Sequence, residues 1–96
     1  MIRFEWDPAK AKRNRAKHGV SFDQAARVFD DPFALMLQDR IEGDEERWQA
    51  IGRAGPYLIV VVAHTVRHGA DADIIRIISA RRALRHERQR YEDQAS

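Results

Sequence analysis

The sequence predicts a single α+β domain in which helices cover one side of a small antiparallel sheet. Apolar residues follow a helical spacing from Phe22 to Phe29, and directly after Pro32 they change to the alternation that is typical of strands. Short turns separate the later segments, and strands joined in this way pair antiparallel. The predicted order of elements over residues 1–96 is therefore β-α-α-β-β-β-β-α.

The N-terminal region predicts a strand followed by a helix. Residues 2–6 alternate apolar and polar side chains, as a short strand does. Asp7 and Pro8 then predict a helix start, because Asp accepts bonds from free helix N–H groups and Pro suits the first helical position. The helix is expected to end at about His18, since Gly19 supplies the left-handed residue that follows many helices.

A second helix is predicted immediately afterwards. Ser21 and Gln24 have the spacing of a capping box, in which each side chain bonds the other residue's backbone N–H. Apolar side chains with helical spacing follow at Phe22, Ala25, Ala26 and Phe29. Residues 30–32 end this helix, because they contain two aspartates and a proline.

Four strands and one helix are predicted for the rest of the chain. The strands are residues 33–37, 46–53, 57–63 and 73–79, with a hairpin loop at 39–44, a turn at 54–56 and a loop at 64–72. Residues 57–63 are almost all apolar and many are β-branched, which predicts a central strand buried on both faces. Ser79 is predicted to cap the last helix, over residues 80–93, in which Tyr91 belongs to a packing stripe.

Composition excludes several classes of protein. The chain has no cysteine, so it has neither a disulfide framework nor a thiolate metal site. No apolar run approaches the ~18 residues of a membrane span. The first residues lack the hydrophobic region of a secretory signal. A cytoplasmic protein without a membrane partner is therefore expected.

The net charge of +2 conceals two basic segments. Five cations and no acid lie between Lys10 and Lys17, and five arginines with one acid lie between Arg81 and Arg90. Two such segments are typical of a nucleic-acid surface if they converge in space, and of solvated helix faces if they do not. The candidate RNA-binding residues are Lys10, Arg13, Lys17, His18, Arg85 and Arg88.

A phosphate site is predicted where the last strand meets the last helix. Arg76 interrupts a run of isoleucines and lies between two of them on one strand face. Arg81 and Arg82 fall in the first turn of the predicted helix, where positive charge opposes the helix dipole. A bound phosphate would reconcile these features, since helix N-termini bind anions. The alternative, in which these arginines are merely solvated, stays open.

Several segments of the chain resemble the BrnT family of bacterial type II toxin–antitoxin ribonucleases. They are Phe4-Glu5-Trp6-Asp7-Pro8, Lys17-His18-Gly19-Val20-Ser21-Phe22, Glu46-Arg47-Trp48 with Ile51-Gly52-Arg53, and Arg76-Ile77-Ile78-Ser79-Ala80-Arg81. The resemblance spans almost the whole chain. It implies a RelE-like fold, RNA cleavage that stops translation, and a BrnA-like antitoxin with a ribbon-helix-helix part. Operator DNA would be bound only through that antitoxin.

RNA cleavage of the kind that the resemblance implies needs no metal. It requires a base for the 2′-OH proton, cations for the charged phosphorane, and an acid for the leaving oxygen. Arg53, Arg76 and Arg81 are the candidate cations, because guanidinium stays charged and binds phosphate through two bonds. His64 is the candidate for proton transfer, and His18 is the second histidine considered for it.

No cofactor or metal is expected. His64 and His68 are four residues apart, which suits a helix, but here they span a strand end and a loop, and along a strand four residues cover ~13 Å. Glycine-rich phosphate loops are absent. Two other functions remain open at this point. One is a non-catalytic nucleic-acid-binding or co-repressor module, and the other is an interaction domain that self-associates.

Overall fold

In the described part of the chain, five strands and three α-helices follow one another in the predicted order. The computed structural model describes residues 1–43 and 45–95, so Asp44 of the predicted hairpin loop and Ser96 lie outside the described residues. The elements are β1 (Ile2–Glu5), α1 (Pro8–His18), α2 (Phe22–Ala26) with a 3-10 turn (Arg27–Asp30), β2 (Leu35–Glu42), β3 (Glu45–Gly55), β4 (Leu58–His68), β5 (Asp73–Arg82) and α3 (Arg85–Ala95). The α+β class is confirmed.

Both predicted ends of the first helix and the predicted start of the second are confirmed, whereas the second α-helix ends at Ala26 and gives way to the 3-10 turn before residues 30–32. The Asp7 side chain accepts a bond from the N–H of Ala9 at 2.8 Å, and Gly19 follows α1 with a φ of 71°. Ser21 and Gln24 form the complete capping box. These ends are set by contacts between residues close in sequence, and for that reason the local pattern predicts them.

The sheet is mixed, and the prediction of an antiparallel sheet is wrong for β1. The strand order is β1-β5-β4-β3-β2, and the neighbouring pairs from β2 to β5 are antiparallel. β1 pairs parallel with β5, with Phe4 opposite Ile75. Two helices separate β1 from β2 along the chain, so no tight turn sets its direction.

The predicted junction between the last strand and the last helix is also wrong. β5 continues to Arg82, and α3 begins at Arg85. Ser79 pairs with Ala63 of β4 instead of capping a helix. The physical reason is the length of β4, whose backbone offers partners as far as Val60, opposite Arg82. The helix N-terminus that was expected to bind phosphate beside these residues is therefore absent from this position.

Other strands are longer than predicted for the same reason. β2 extends to Glu42, inside the predicted 39–44 hairpin loop, and β4 extends to His68, inside the predicted 64–72 loop. Pairing between neighbouring strands maintains these polar segments as strands, although their local sequence favours a loop.

Apolar side chains pack on both faces of the sheet, and the prediction that the helices cover only one side is wrong. On the helix face, Val60 and Val62 lie with Phe22 and Val28 beneath α1 and α2. On the opposite face, which we call the α3 face, a smaller cluster is formed by Ile51, Ile59, Val61 and Tyr91. The prediction that the strand at residues 57–63 is buried on both faces is confirmed, and so is the packing role of Tyr91, which is 2% exposed. Among the described residues, no helix is both long enough and apolar enough to cross a membrane.

Candidate nucleic-acid interface

A groove separates α1 from the outer edge of β5. β1 pairs with β5 only as far as Arg76, so within the described chain the rest of β5 has no strand on that side. α1 lies along this open edge. The residues that line the space between them are Lys10, Arg13, Asn14, Lys17, His18, Ile78 and Ser79. We call this space the α1–β5 groove.

Asn14 occupies the place of the missing strand neighbour. Its amide nitrogen donates to the carbonyls of Ala80 at 2.8 Å and Val20 at 3.1 Å, and its amide oxygen accepts from the N–H of Ala80 at 3.1 Å. Asn14 is only 8% exposed. Buried backbone groups need such partners, because leaving one unsatisfied costs about 1–3 kcal/mol. Asn14 therefore holds α1 against β5.

The basic side chains of the groove have no carboxylate partner. Four of the predicted RNA-binding residues line it, namely Lys10, Arg13, Lys17 and His18. Among the described residues, none of them forms a hydrogen bond or an ion pair through its side chain. The pKa of Asp7 lies below its usual value, mainly through the bond from the Ala9 N–H, with smaller contributions from the charges of Lys10 and Arg13. The groove therefore presents cations that no carboxylate of the described residues pairs with directly.

Three predicted catalytic arginines lie on the α3 face. The β4 partners of Arg53, Arg76 and Arg81 are alternate residues between Ile59 and Thr65, which share one face of the sheet. Ser79 of the groove pairs with a residue of the same set, so the groove opens at the edge of this face. Along the strand, Arg81 lies ~7 Å from Ser79, whereas Arg53 is two strands away, ~10 Å across the sheet.

Arg81 is neutralised by Glu87 of α3. Its two terminal nitrogens donate to the two carboxylate oxygens of Glu87 at 2.7 and 2.9 Å. Glu87 also accepts from the backbone N–H of Leu84 at 2.8 Å, which caps the start of α3. These bonds lower the pKa of Glu87 to about 2 and raise that of Arg81. Paired in this way, Arg81 attaches α3 to the sheet.

Arg76 is also close to a carboxylate. Its guanidinium lies 3.5 Å from Glu5, which accepts a shorter bond of 2.6 Å from Arg67. All three side chains are more than one third exposed, so these pairs are held in water and contribute little to stability. Arg76 is therefore accessible but shares its local charge with Glu5.

Arg53 belongs to a different cluster, at the C-terminal end of α3. Its backbone N–H donates to Asp31 at 2.9 Å, and the Tyr91 hydroxyl donates to the same carboxylate oxygen at 2.6 Å. Burial disfavours the charged form of Asp31, but these bonds and one from Phe33 outweigh it, so its pKa lies below the usual value. Burial and the bond to Asp31 raise the pKa of Tyr91.

His64 lies in the core and not at the groove. It is 2% exposed, its Nδ1–H donates to the carbonyl of Val62 at 3.1 Å, and its ring packs edge-on against Phe29 at 4.8 Å. Burial lowers its pKa, which favours the neutral imidazole. It alternates with Thr65 along β4 and so lies on the helix face, whereas the arginines lie on the α3 face. The structure does not bring His64 together with the other predicted catalytic residues.

The remaining predicted RNA-binding residues lie on α3. Arg85 is exposed at its start, and Arg88 pairs with Glu92 at 3.0 Å. The basic side chains of α1 and those of α3 therefore lie on opposite faces of the sheet. Within the described residues, no cluster of three or more His, Asp and Glu side chains is arranged to hold a metal ion.

Three residues of these sites were missed by the sequence interpretation, namely Asn14, Asp31 and Glu87. Asn14 gave a weak signal, because asparagine is a poor helix former in the middle of a helix. Its partner Ala80 is 66 positions away, so only the folded chain reveals the contact.

Comparison with known proteins identifies the family. The family model for the ribonuclease toxin BrnT of type II toxin–antitoxin systems matches residues 6–87, which include both walls of the α1–β5 groove and Glu87. A search of curated proteins finds no match. Because the family match covers most of the chain, this protein belongs to the BrnT family of type II toxin–antitoxin ribonuclease toxins.

Proposed function

We propose that this chain is a metal-independent endoribonuclease that inhibits translation, and that its RNA substrate binds in the α1–β5 groove. One observation supports this site above the others. Lys10, Arg13 and Lys17 line one groove, and among the described residues no carboxylate pairs with them. Such cations contribute most to the binding free energy of a polyanion, because no ion pair within the protein has to be broken when it binds.

In this proposal His18 transfers the proton at the cleavage site. It lines the same groove as the three cations, and an imidazole accepts and donates protons near neutral pH. The 2′ oxygen of the RNA loses its proton to His18 and attacks the neighbouring phosphorus. The bond from phosphorus to the 5′ oxygen then breaks, and this oxygen takes a proton from the His18 imidazolium, which leaves a 2′,3′-cyclic phosphate and a free 5′ hydroxyl.

The other predicted catalytic residues receive different roles. Arg76 and Arg81 lie on β5 on either side of the groove residues Ile78 and Ser79, and we assign them the stabilisation of negative charge on the phosphorane. Their carboxylate partners orient both guanidinium groups but reduce their net charge. Arg53 is too distant to join them, and His64 serves the core.

The family implies an antitoxin partner for the toxin. We propose that it resembles BrnA, with a ribbon-helix-helix part through which the complex binds operator DNA. An acidic segment of this antitoxin would occupy the α1–β5 groove and exclude RNA, because the free cations there suit carboxylates as well as phosphates. RNA as substrate and an antitoxin as partner are consistent with a cytoplasmic location.

The test is cleavage of single-stranded RNA in EDTA by the wild type and by a matched pair of histidine variants. Loss of a general base lowers the rate by about 10²–10⁴-fold, and we expect a loss of this size for His18→Gln. His86→Gln is the control, since His86 is exposed on α3 outside the groove.

Each outcome separates one part of the proposal. Cleavage that requires a divalent cation contradicts metal independence. A wild-type rate in His18→Gln contradicts the role of His18. Salt-sensitive RNA binding without cleavage supports the non-catalytic binding module instead.

A further inference from the structure

A second cleft lies between the 3-10 turn, the end of β3 and Tyr91 of α3, away from the α1–β5 groove. It encloses about 530 Å³, which is within the range of small-ligand pockets. The side chains of its lining that matter here are Arg27, Asp30, Phe33, Arg53 and Tyr91. The family match ends at residue 87, so Tyr91 lies beyond the matched region.

Asp31 makes the wall of this cleft rigid. Its carboxylate accepts from the Tyr91 hydroxyl at 2.6 Å and from the backbone N–H groups of Arg53 at 2.9 Å and Phe33 at 2.9 Å. The loop that follows the 3-10 turn is thereby joined to both β3 and α3. Gly52 permits this close approach, because a Cβ there would lie 2.8 Å from a methyl group of Val28.

Three side chains of different chemistry line this cleft and have surface available for a ligand. The Phe33 ring is 48% exposed, although the loop that holds it is fixed. Asp30 is exposed, and within the described residues its carboxylate has no hydrogen bond or ion pair. The same holds for the guanidinium of Arg27, so the two charges are left unpaired although they line one cleft.

We propose that this cleft binds a guanine base of the RNA substrate, an inference that rests on the proposed function. A nucleobase stacks on the exposed Phe33 ring. The Asp30 carboxylate accepts from the adjacent N1–H and N2–H groups of guanine, and no other RNA base presents two donors side by side on that edge. Arg27 and Arg53 pair with the phosphates on either side of this base.

The position of the cleft is consistent with one RNA strand occupying both sites. Arg53 lies on the same sheet face as Ser79, at which the α1–β5 groove opens. Counting strand spacing and residue rise, the two positions are roughly 16 Å apart, a distance that a few nucleotides of single-stranded RNA span. The cleft would therefore select a base close to the cleaved bond.

The test compares RNA octamers of uridine that carry one guanosine, inosine or adenosine. All sugars are 2′-O-methylated, so the RNA is not cleaved, and affinity is measured by fluorescence anisotropy. We expect the wild type to bind the guanosine RNA at least about 5-fold more tightly than the adenosine RNA, with inosine between them because it lacks the N2 amino group. Asp30→Asn is expected to abolish this preference. Phe33→Ala is expected to lower the affinity for all three RNAs by roughly 10-fold.

Two control variants each remove a comparable group, a carboxylate or an aromatic ring, from a position outside the cleft. Asp39→Asn removes an exposed carboxylate from β2, and Tyr57→Ala removes a ring that is 92% exposed in the turn before β4. Both are expected to keep the wild-type affinities. All four substitutions are at exposed positions, and unchanged thermal unfolding would show that the variants fold.

Equal affinity of the wild type for the three RNAs would overturn this inference and leave the proposed function intact. Retention of the guanosine preference by Asp30→Asn would do the same. Failure to bind any of these RNAs would contradict both proposals. If the cleft variants weaken antitoxin binding but leave the RNA affinities unchanged, the cleft belongs to the protein partner and the inference is overturned.

Discussion

The α1–β5 groove and the α3 face both carry basic side chains, but the fold treats their charges differently. In the groove, Lys10, Arg13 and Lys17 have no carboxylate partner among the described residues. On the α3 face, Arg81 is bound at both terminal nitrogens by Glu87, and Arg76 lies beside Glu5. The three cations of the groove are therefore directly available to a polyanion, whereas Arg81 and Arg76 each share their charge with a carboxylate.

The two helices explain this difference, because they are attached to the sheet in different ways. α1 is attached through Asn14, whose amide bonds the backbone of β5. The basic side chains of α1 are then not needed for attachment. Among the described side chains of α3, Tyr91 is the only buried one. The attachment of α3 therefore relies on the polar bonds of Glu87 and Tyr91. Substitutions at the attachment points of the two helices test this difference.

Replacement of Asn14 by leucine is expected to destabilise the fold most. The change removes three hydrogen bonds and leaves buried backbone groups of Ala80 and Val20 without partners. The free energy of unfolding in urea should fall by about 3 kcal/mol. Lys12→Leu, at an exposed position of the same helix, is the control. A loss under about 1 kcal/mol for Asn14→Leu would show that α1 is attached by other contacts.

Glu87→Gln is expected to lower the free energy of unfolding by about 2 kcal/mol, the size of a charge-assisted hydrogen bond. Glu92→Gln is the matched control, because Glu92 pairs with Arg88 on the same helix but is 52% exposed. Its loss should stay below about 0.5 kcal/mol. Equal losses would contradict the distinction between an anchoring and a solvated pair.

The Glu87 contribution should depend on pH in a defined direction. Its pKa is lowered from 4.5 to about 2 in the folded chain. A carboxylate with a lowered pKa stabilises the fold above its unfolded pKa and loses this effect as pH falls through the folded value. The difference in stability between the wild type and Glu87→Gln should therefore shrink as pH falls from 4.5 toward 2, as urea unfolding at each pH would show.

Tyr91→Phe is expected to cost about 1 kcal/mol, because it removes the 2.6 Å hydrogen bond to Asp31 but keeps the buried ring. Tyr57→Phe, at a ring that is 92% exposed, should leave the unfolding midpoint unchanged. If both variants unfold like the wild type, the hydroxyl of Tyr91 does not help to attach α3.

His68 is expected to give the smallest effect, with the opposite pH dependence. Hydrogen bonds to Asp73 and then Glu46 raise its pKa, although its side chain is 67% exposed. A raised pKa stabilises the fold below the unfolded value near 6.5 and loses this effect as pH rises through the folded value. Between pH 6 and about 8, the midpoint temperature of thermal unfolding should fall slightly more for the wild type than for His68→Gln. An identical pH dependence would contradict this role.

Sequence reasoning predicted the features that depend on neighbouring residues. The capping by Asp7, the box of Ser21 and Gln24, and the left-handed Gly19 are local, and all three are found. The doubly buried central strand was also predicted, because a run of apolar, β-branched residues is typical of a strand that packs on both faces.

Features that depend on distant pairing could not be predicted in this way. The parallel direction of β1 and the extension of β5 to Arg82 are set by strands elsewhere in the chain. The neutralisation of Arg81 also depends on distant pairing. Arg81 meets Glu87 because α3 begins only at Arg85, after β5 has paired as far as Arg82. A count of arginines in the sequence therefore overstates the positive charge that RNA would meet on the α3 face.

The most direct measurement compares the RNA affinity of two triple variants with equal loss of charge. One carries Lys10→Gln, Arg13→Gln and Lys17→Gln in the groove. The other carries Arg40→Gln, Arg67→Gln and Arg88→Gln, which remove cations that are paired with Glu42, Glu5 and Glu92. Affinity for uncleavable, 2′-O-methylated single-stranded RNA is measured as a function of salt concentration.

We expect the groove variant to bind at least about 30-fold more weakly at moderate salt and its salt slope to fall by about 2, which corresponds to three lost phosphate contacts. The variant of the paired cations should change less than about 3-fold. An equal loss of affinity in both variants, or a larger loss in the second, would contradict the assignment of RNA binding to the α1–β5 groove.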